Sequence, residues 1–359
     1  MTDRTPRLGR IARATALALL TALPAAAQPD IPAGTVAVPF ITLRDATGAT
    51  SPARALGGGR AEPSGGYCIL TENPGLLGTL AEATALTLPG RDYGLSALHL
   101  HSPATIYDAL ETSAGTDRPA LYVHGYYEGI DRNCVRAGMV QRNLDLEGRL
   151  LLFSWPSDEV IVSYAADESD LYWSVPAIAD SIAELVRRFG TAEVDVIGHS
   201  LGGRGAVLAI DGLARDHAGL EALVDNVVLI APDMDFDIFV QYLPRIRTVA
   251  RTITVYISDN DLPLAVSAEL HGYPRLGQTG NDVSGLDGVE FIDVSALSGI
   301  TDIDIPGAPA SALSGHIYHL SNRTVAADIA TLLNENKRAA DRPGMELLGP
   351  NFWRLTATR

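Results

Sequence analysis

From about residue 119 onward, short apolar runs alternate with longer stretches in which apolar side chains recur every three or four residues. The runs are 120–123, 150–155, 194–197, 226–231, 252–257 and 289–294, and each is nearly continuous rather than alternating. Runs of that kind suit strands covered on both faces, as in a parallel sheet. Between them, residues 175–189 place Ile178, Ile182, Leu185, Val186 and Phe189 on one helical face, and 201–213 groups Val207, Leu208 and Ile210. A last helix is expected over 326–334, capped by Ser321 or Asn322. This alternation predicts an α/β fold with a mostly parallel, doubly wound central sheet and helices on both faces. Such sheets hold their chemistry in loops beyond the carboxyl ends of the strands.

The chain before residue 119 reads differently. An apolar run at 36–43 predicts a strand, and 46–66 is a loose segment rich in Gly, Ala, Pro and Ser. Residues 67–71 and 95–101 are strand-like pieces broken by Gly and Pro. At the start, Arg4, Arg7, Arg10 and Arg13 precede an apolar run at 14–23, followed by Ala25, Ala26 and Ala27. That is the layout of a secretory signal peptide. The run is about half of what a membrane span needs, so no stable membrane anchor is expected. The expected division is a signal peptide at 1–27, N-terminal strands and loops at 28–118 that pack on or extend the main domain, an α/β core at 119–340 and a C-terminal tail at 341–359. The expected location is periplasmic or secreted.

Composition narrows the class. With 47% hydrophobic and 19% charged residues, the chain can build a substantial core and does not resemble a disordered one. The formal charge is −16, and because residues 1–27 carry four Arg against one Asp, the remainder is near −19. Such a chain repels phosphate backbones, so nucleic acid is not an expected partner. The two cysteines, Cys68 and Cys134, lack metal-ligand spacing. In an oxidising compartment they could pair, and two separate buried thiols are equally compatible with the sequence.

One motif carries chemistry. Gly198-His199-Ser200-Leu201-Gly202 fits G-x-S-x-G, with a strand expected before it and a helix after it. On a sharp strand-to-helix turn a serine Oγ projects into the open, and the helix N-terminus favours developing negative charge. Glycines at 198 and 202 remove Cβ atoms that would clash in such a turn. Ser200 is therefore the expected nucleophile.

A serine needs a base, and the base needs an orienting acid, in the chain order Ser, Asp or Glu, His. The strand at 252–257 runs into Ser258-Asp259-Asn260-Asp261, where the acid is expected. Asp261 is preferred over Asp259, with Asp233, Asp235 and Asp237 as further alternatives that otherwise read as loop charges or helix caps. Of the later histidines, His271 lies too close to its own strand. His316, delivered by Gly315 just before the last helix, is preferred over His319. His99 and His101 share a strand face without forming a convincing metal set. His124 and His199 read as loop hydrogen-bonders and His217 as surface. No cofactor is expected. The oxyanion donors expected for such chemistry are the Leu201 backbone N–H and one from the loop after the strand at 120–123, either Tyr126 or Gly125. Residues 157–173 could wall an apolar acyl pocket but read better as packing over the sheet. Phe236, Phe239, Tyr242 and Leu243 suggest a short cap helix or simply core.

With these residues in view, the chain resembles the α/β hydrolases, and specifically the bacterial esterase/lipase-like group known as domain of unknown function 900. The resemblance runs from about Tyr122 to Asp328 through Val123-His124-Gly125-Tyr126, Leu152-Phe153-Ser154-Trp155-Pro156-Ser157 and the serine pentapeptide. It continues through Ala231-Pro232-Asp233, Tyr256-Ile257-Ser258-Asp259-Asn260-Asp261, Arg275-Leu276-Gly277, Ile292-Asp293-Val294-Ser295 and Gly315-His316-Ile317-Tyr318. It implies an α/β-hydrolase fold with a Ser200–Asp261–His316 triad. Two departures stand out: Tyr127 replaces the Asn that commonly follows the His-Gly-Tyr turn, and residues 28–118 are poorly covered. The expected activity is hydrolysis of carboxylic esters through an acyl-enzyme, on a small-molecule or lipid-like ester. A binding protein that has lost catalysis, or a thioesterase, peptidase or acyltransferase on the same triad, are the alternatives.

Overall fold

The structure is a computed structural model, and it describes residues 34–74, 91–160, 163–216, 222–298 and 315–357. The expected signal peptide at 1–27 and His217 lie outside the described residues.

The apolar runs become strands of one sheet. These are β1 (Thr35–Ala46), β2 (Leu56–Pro74), β3 (Arg91–His101), β4 (Ala120–Val123), β5 (Leu150–Ser154), β6 (Asp195–His199), β7 (Val224–Ile230), β8 (Ala250–Ile257), β9 (Glu290–Asp293), β10 (Met345–Gly349) and β11 (Phe352–Leu355). Their order across the sheet is β10-β11-β9-β8-β7-β6-β4-β5-β1-β2-β3. Pairing is parallel from β1 through β5, β4, β6, β7, β8 and β9 to β11, and antiparallel hairpins close both edges.

The continuous apolar runs are explained by burial on both sides. Successive strand residues point to opposite faces. Leu121, Val123, Leu151, Phe153 and Val196 therefore join one core, with helices α1 (Pro103–Ala114), α3 (Tyr164–Phe189), α4 (Leu201–Asp216) and α5 (Phe236–Val249). Tyr122, Leu150, Leu152 and Ile197 join the other, against α2 (Ile130–Asn143) and α9 (Arg323–Glu335). Between them in the chain lie α6 (Leu262–His271) and two single turns, α7 (Ser295–Ser298) and α8 (Tyr318–Ser321). The Asn322 side chain caps α9, accepting from Thr324 and Val325 N–H. Phe239 and Leu243 of α5 are core residues rather than part of a cap over the site.

Two stretches depart from the sequence reading. Residues 56–66, expected to be loose, form the first half of β2 and pair with β1, Gly65 opposite Ile41. Glycine there marks close packing rather than a loop: a Cβ on Gly66 would lie 2.3 Å from the His99 carbonyl oxygen and 2.5 Å from the Phe40 ring. Residues 345–355, read as part of a tail, form the β10–β11 hairpin, and β11 extends the parallel sheet beside β9.

Cys68 on β2 and Cys134 on α2 form a disulfide across a sequence separation of 66. A loop of that length is worth about 4 kcal/mol in the chain-entropy account. The bridge ties the N-terminal hairpin to the helix that follows the β4 exit loop. Among the described residues, no helix is long and apolar enough to cross a membrane.

Candidate active site

Ser200 sits between β6 and α4 with φ of 54°, a left-handed conformation that is unfavourable for a serine. Its surroundings enforce it. The Ser200 N–H donates to the Ile230 carbonyl at 3.0 Å, and the Ser200 carbonyl accepts from Gly203 N–H at 3.0 Å and Asp233 N–H at 3.1 Å. A Cβ on Gly198 would lie 2.6 Å from Gly203 Cα, and one on Gly202 would lie 2.2 Å from the Val123 carbonyl oxygen. Both glycines of the pentapeptide are therefore required by close backbone approach. Leu201 opens α4, so its amide is among the first-turn N–H groups that have no acceptor within the helix.

Asp261 follows β8 and caps α6, accepting from Leu264 N–H at 3.0 Å. Its two oxygens lie 2.9 and 2.8 Å from His316 Nδ1. Burial raises the Asp261 carboxyl above its ordinary range, and the neighbouring His316 works against that shift. His316 is carried by a tight loop: Gly315 has φ of 84°, and a Cβ there would lie 2.1 Å from the Asn260 carbonyl oxygen. The bases on offer thus separate. His316 meets Asp261, whereas His319 is buried in the following turn, and His271, at the end of α6, has its Nδ1 2.8 Å from the Ser267 carbonyl. His316 and Ser200 approach through the residue between them in space: the His199 ring lies 4.8 Å from the His316 ring, and His199 Nε2 is 3.1 Å from the His316 carbonyl oxygen. No hydrogen bond joins Ser200 Oγ to His316.

The β4 exit loop runs alongside. Gly125 touches the turn: a Cβ on it would lie 3.1 Å from Ser200 Cβ. His124 stacks flat on Trp155, ring centroids 4.8 Å apart, and Trp155 Nε1 donates to the His124 carbonyl at 2.8 Å. Burial lowers the His124 pKa to about 4, so the imidazole is neutral. Tyr127 has φ of 63°, and its carbonyl accepts from Arg132 at 2.6 Å. Beneath the loop lies a set of buried ions that the sequence reading did not single out. Arg44 of β1 donates to the Glu128 and Ser157 carbonyls and to Ser154 Oγ. Glu128 binds Arg136 at 2.6 Å and Asn133 at 2.9 Å. Burial alone would raise the Glu128 pKa, but the Arg136 guanidinium and the hydrogen bonds from Asn133 and Arg136 bring it below the ordinary value. Asp167 accepts from Ser157 Oγ and from Asp158 N–H. Backbone groups on a loop held from this many sides are fixed in place. A single strand-end Arg is the only sequence signal for this set, and its partners on the loops after β4 and β5 lie 84 to 113 residues away.

Asp233 is not a solvated loop charge. It is buried, ion-pairs Arg275 at 2.7 Å and accepts from Tyr164 Oη and Ser267 Oγ, while Asp235 caps α5 through Ile238 N–H. Burial would raise the Asp233 pKa, yet Arg204 and Arg275 pull it below normal. The block Arg275-Leu276-Gly277 closes the loops: Leu276 N–H donates to Met234 and Gly277 N–H to Pro232. Among the described residues of 157–173, buried packing and exposed aromatic rings occur side by side. Leu171 is core, Tyr164 packs edge-on against Tyr126 at 5.3 Å, and Tyr172 and Trp173 are exposed.

A parallel sheet wound by helices on both faces, with a strained serine at the turn from β6 into α4, defines an α/β hydrolase. The chain belongs to the family described as alpha/beta hydrolase of unknown function (DUF900), whose sequence profile matches residues 103–335. No curated protein matches the chain. Among solved structures it is similar to Aspergillus fumigatus lipase B, with 14% identity, covering 65% of this chain and 58% of that one at a TM-score of 0.36. It is also similar to a Pyrobaculum calidifontis esterase, with 15% identity, 60% and 77% coverage and a TM-score of 0.31. At these values the likenesses say nothing about substrate.

Proposed function

We propose that this hydrolase cleaves carboxylic esters through a covalent acyl-serine. Ser200 Oγ attacks the ester carbonyl while His316 Nε2 takes its proton. Asp261 holds the ring through Nδ1 and stabilises the imidazolium. The Leu201 and Tyr126 amides are the donors assigned to the oxyanion. His316 then protonates the departing alcohol, and water, activated by the same imidazole, releases the acid. The observation that carries this reading is the pairing of a serine at φ 54° with an Asp261–His316 couple delivered to the adjacent loop. Apo hydrogen bonds at such sites are often long and close only around substrate, which accounts for the open Ser200–His316 step.

An apolar ester fits the surroundings. Leu262, Val266 and Leu270 lie exposed at four-residue spacing along α6, which starts immediately after Asp261. The leader-like first 27 residues support action outside the cytoplasm, on small or lipid-like esters. Ser200→Ala is expected to keep the fold and to lower turnover of p-nitrophenyl acetate and butyrate by roughly four orders of magnitude or more. Wild-type turnover by that variant contradicts the proposal.

A further inference from the structure

The turn residue before the nucleophile has more structure around it than a spacer needs. The His199 side chain is buried, and its Nε2 lies 3.1 Å from the His316 carbonyl oxygen. A carbonyl can only accept, so His199 is the Nε2–H tautomer and donates. Its Nδ1 is then an acceptor, buried and without a hydrogen-bond partner. That face sits against the β4 exit loop, where a Cβ on Gly125 would come within 2.8 Å of Nδ1. The missing side chain at Gly125 leaves room for the imidazole on this side. On its third side His199 meets His319, ring centroids 4.6 Å apart. His319 is itself buried with both ring nitrogens unpartnered. Burial keeps His199 uncharged, and the nearby Arg136 guanidinium acts in the same direction. A single rigid ring, covalently next to Ser200, therefore touches the β4 exit loop, which carries the proposed Tyr126 donor, and the turn that carries the proposed base.

Resting on the proposed triad, we propose that His199 is a positioning residue: it fixes the His316 loop relative to Ser200 by donating its Nε2–H to the His316 carbonyl. Its partner is the backbone of the base and not its reacting edge. The role therefore needs a donor at the right reach rather than a titratable group. Leu fills the space without the donor, whereas Gln can present an amide N–H toward the same carbonyl.

The test compares His199→Leu and His199→Gln with wild type in three readouts: fluorophosphonate labelling rate at Ser200, kcat and KM on p-nitrophenyl butyrate, and the low-field proton of the His316–Asp261 bond by NMR. A misplacement of about an ångström at a reacting centre costs on the order of 100-fold. His199→Leu is therefore expected to lower kcat and the labelling rate by roughly 10- to 100-fold with little change in KM, and His199→Gln to recover most of both. A folded Leu variant that labels at the wild-type rate, or a Gln variant no faster than Leu, overturns the inference. If Leu does not fold, a folded Gln variant that labels as slowly as His316→Ala overturns it too. Wild-type protein that never labels at Ser200 sinks the proposed function instead. The NMR readout then still decides, because a low-field proton unchanged in His199→Leu shows that the ring positions nothing.

Discussion

The two ends of the parallel strands make an instructive pair, because both bury charge. At the amino ends, Asp195 of β6 and Asp225 of β7 are fully buried. Arg118 lies 3.6 and 3.3 Å from them, Asn226 Nδ2 donates to Asp195 at 2.8 Å, and Arg251 pairs with Asp225 at 3.1 Å. At the carboxyl ends of the same strands, Ser200 and Ala231 adopt positive φ, and the Asp261–His316 couple ends in an imidazole edge. That edge and the Ser200 hydroxyl have no hydrogen-bond partner among the described residues. Burial of ions therefore does not by itself mark a functional end. What separates the two is the pairing: arginine with carboxylate at the amino ends, and at the carboxyl ends a carboxylate–imidazole couple beside a serine held in a left-handed turn.

Substitutions can break this contrast. Asp261→Asn keeps a good cap for α6 but presents the wrong partner to His316 Nδ1. Activity is expected to fall roughly 10³- to 10⁴-fold with the melting temperature nearly unchanged. Steady-state rates and a thermal melt on the same preparation check this, and a wild-type rate removes Asp261 from the site. Asp195→Ala should do the reverse. It removes the Asp195 acceptor from the Asn226 N–H and Nδ2, leaving Nδ2 only Asp225 at 3.4 Å, while Arg118 retains Asp225, so a stability loss of roughly 1–3 kcal/mol is expected in urea titration, with kcat per folded molecule unchanged. A selective loss of activity in that variant would dissolve the distinction between the two ends.

The smallest effect is on pH. Burial lowers His124 to about 4 and His319 to about 3, against an ordinary value near 6.5. Both are neutral in the fold but protonate in the unfolded chain, so their stabilisation is present above about pH 6.5 and is lost as pH falls through 4 to 3. Burial raises Asp195 and Asp328 to about 6, which has the opposite sign: their contribution is present below about pH 3.8 and fades as pH rises through 6. His319→Phe is expected to move the acid unfolding midpoint to lower pH. An unmoved or higher midpoint would show that the His319 ring is not held neutral.

Much of the fold was legible because burial on both faces writes a continuous apolar run, and residues 120–123 through 289–294 carry that signature without ambiguity. The serine turn was legible for a similar reason: each glycine answers a specific close approach. The β1–β3 region was not, because Gly65 and Gly66 read as loop when their role is to let strands and Phe40 pack closely. The polar scaffold under the β4 exit loop was hidden for a different reason. Arg44, Glu128, Arg136 and Asp167 are unremarkable one at a time, and only the folded chain joins them through the Glu128 and Ser157 backbone and side chains. His199 reads from sequence as a loop hydrogen-bonder, but which loop it serves depends on a contact 117 residues away.

The central claim is that Ser200 is activated by His316. The most direct measurement is peptide mapping after brief exposure of wild type, Ser200→Ala and His316→Ala to a fluorophosphonate probe. The account predicts rapid, stoichiometric labelling of the wild-type peptide containing Ser200, none in Ser200→Ala and a greatly slowed reaction in His316→Ala. Labelling of wild type at another residue, or undiminished labelling of Ser200 without the His316 imidazole, would contradict it.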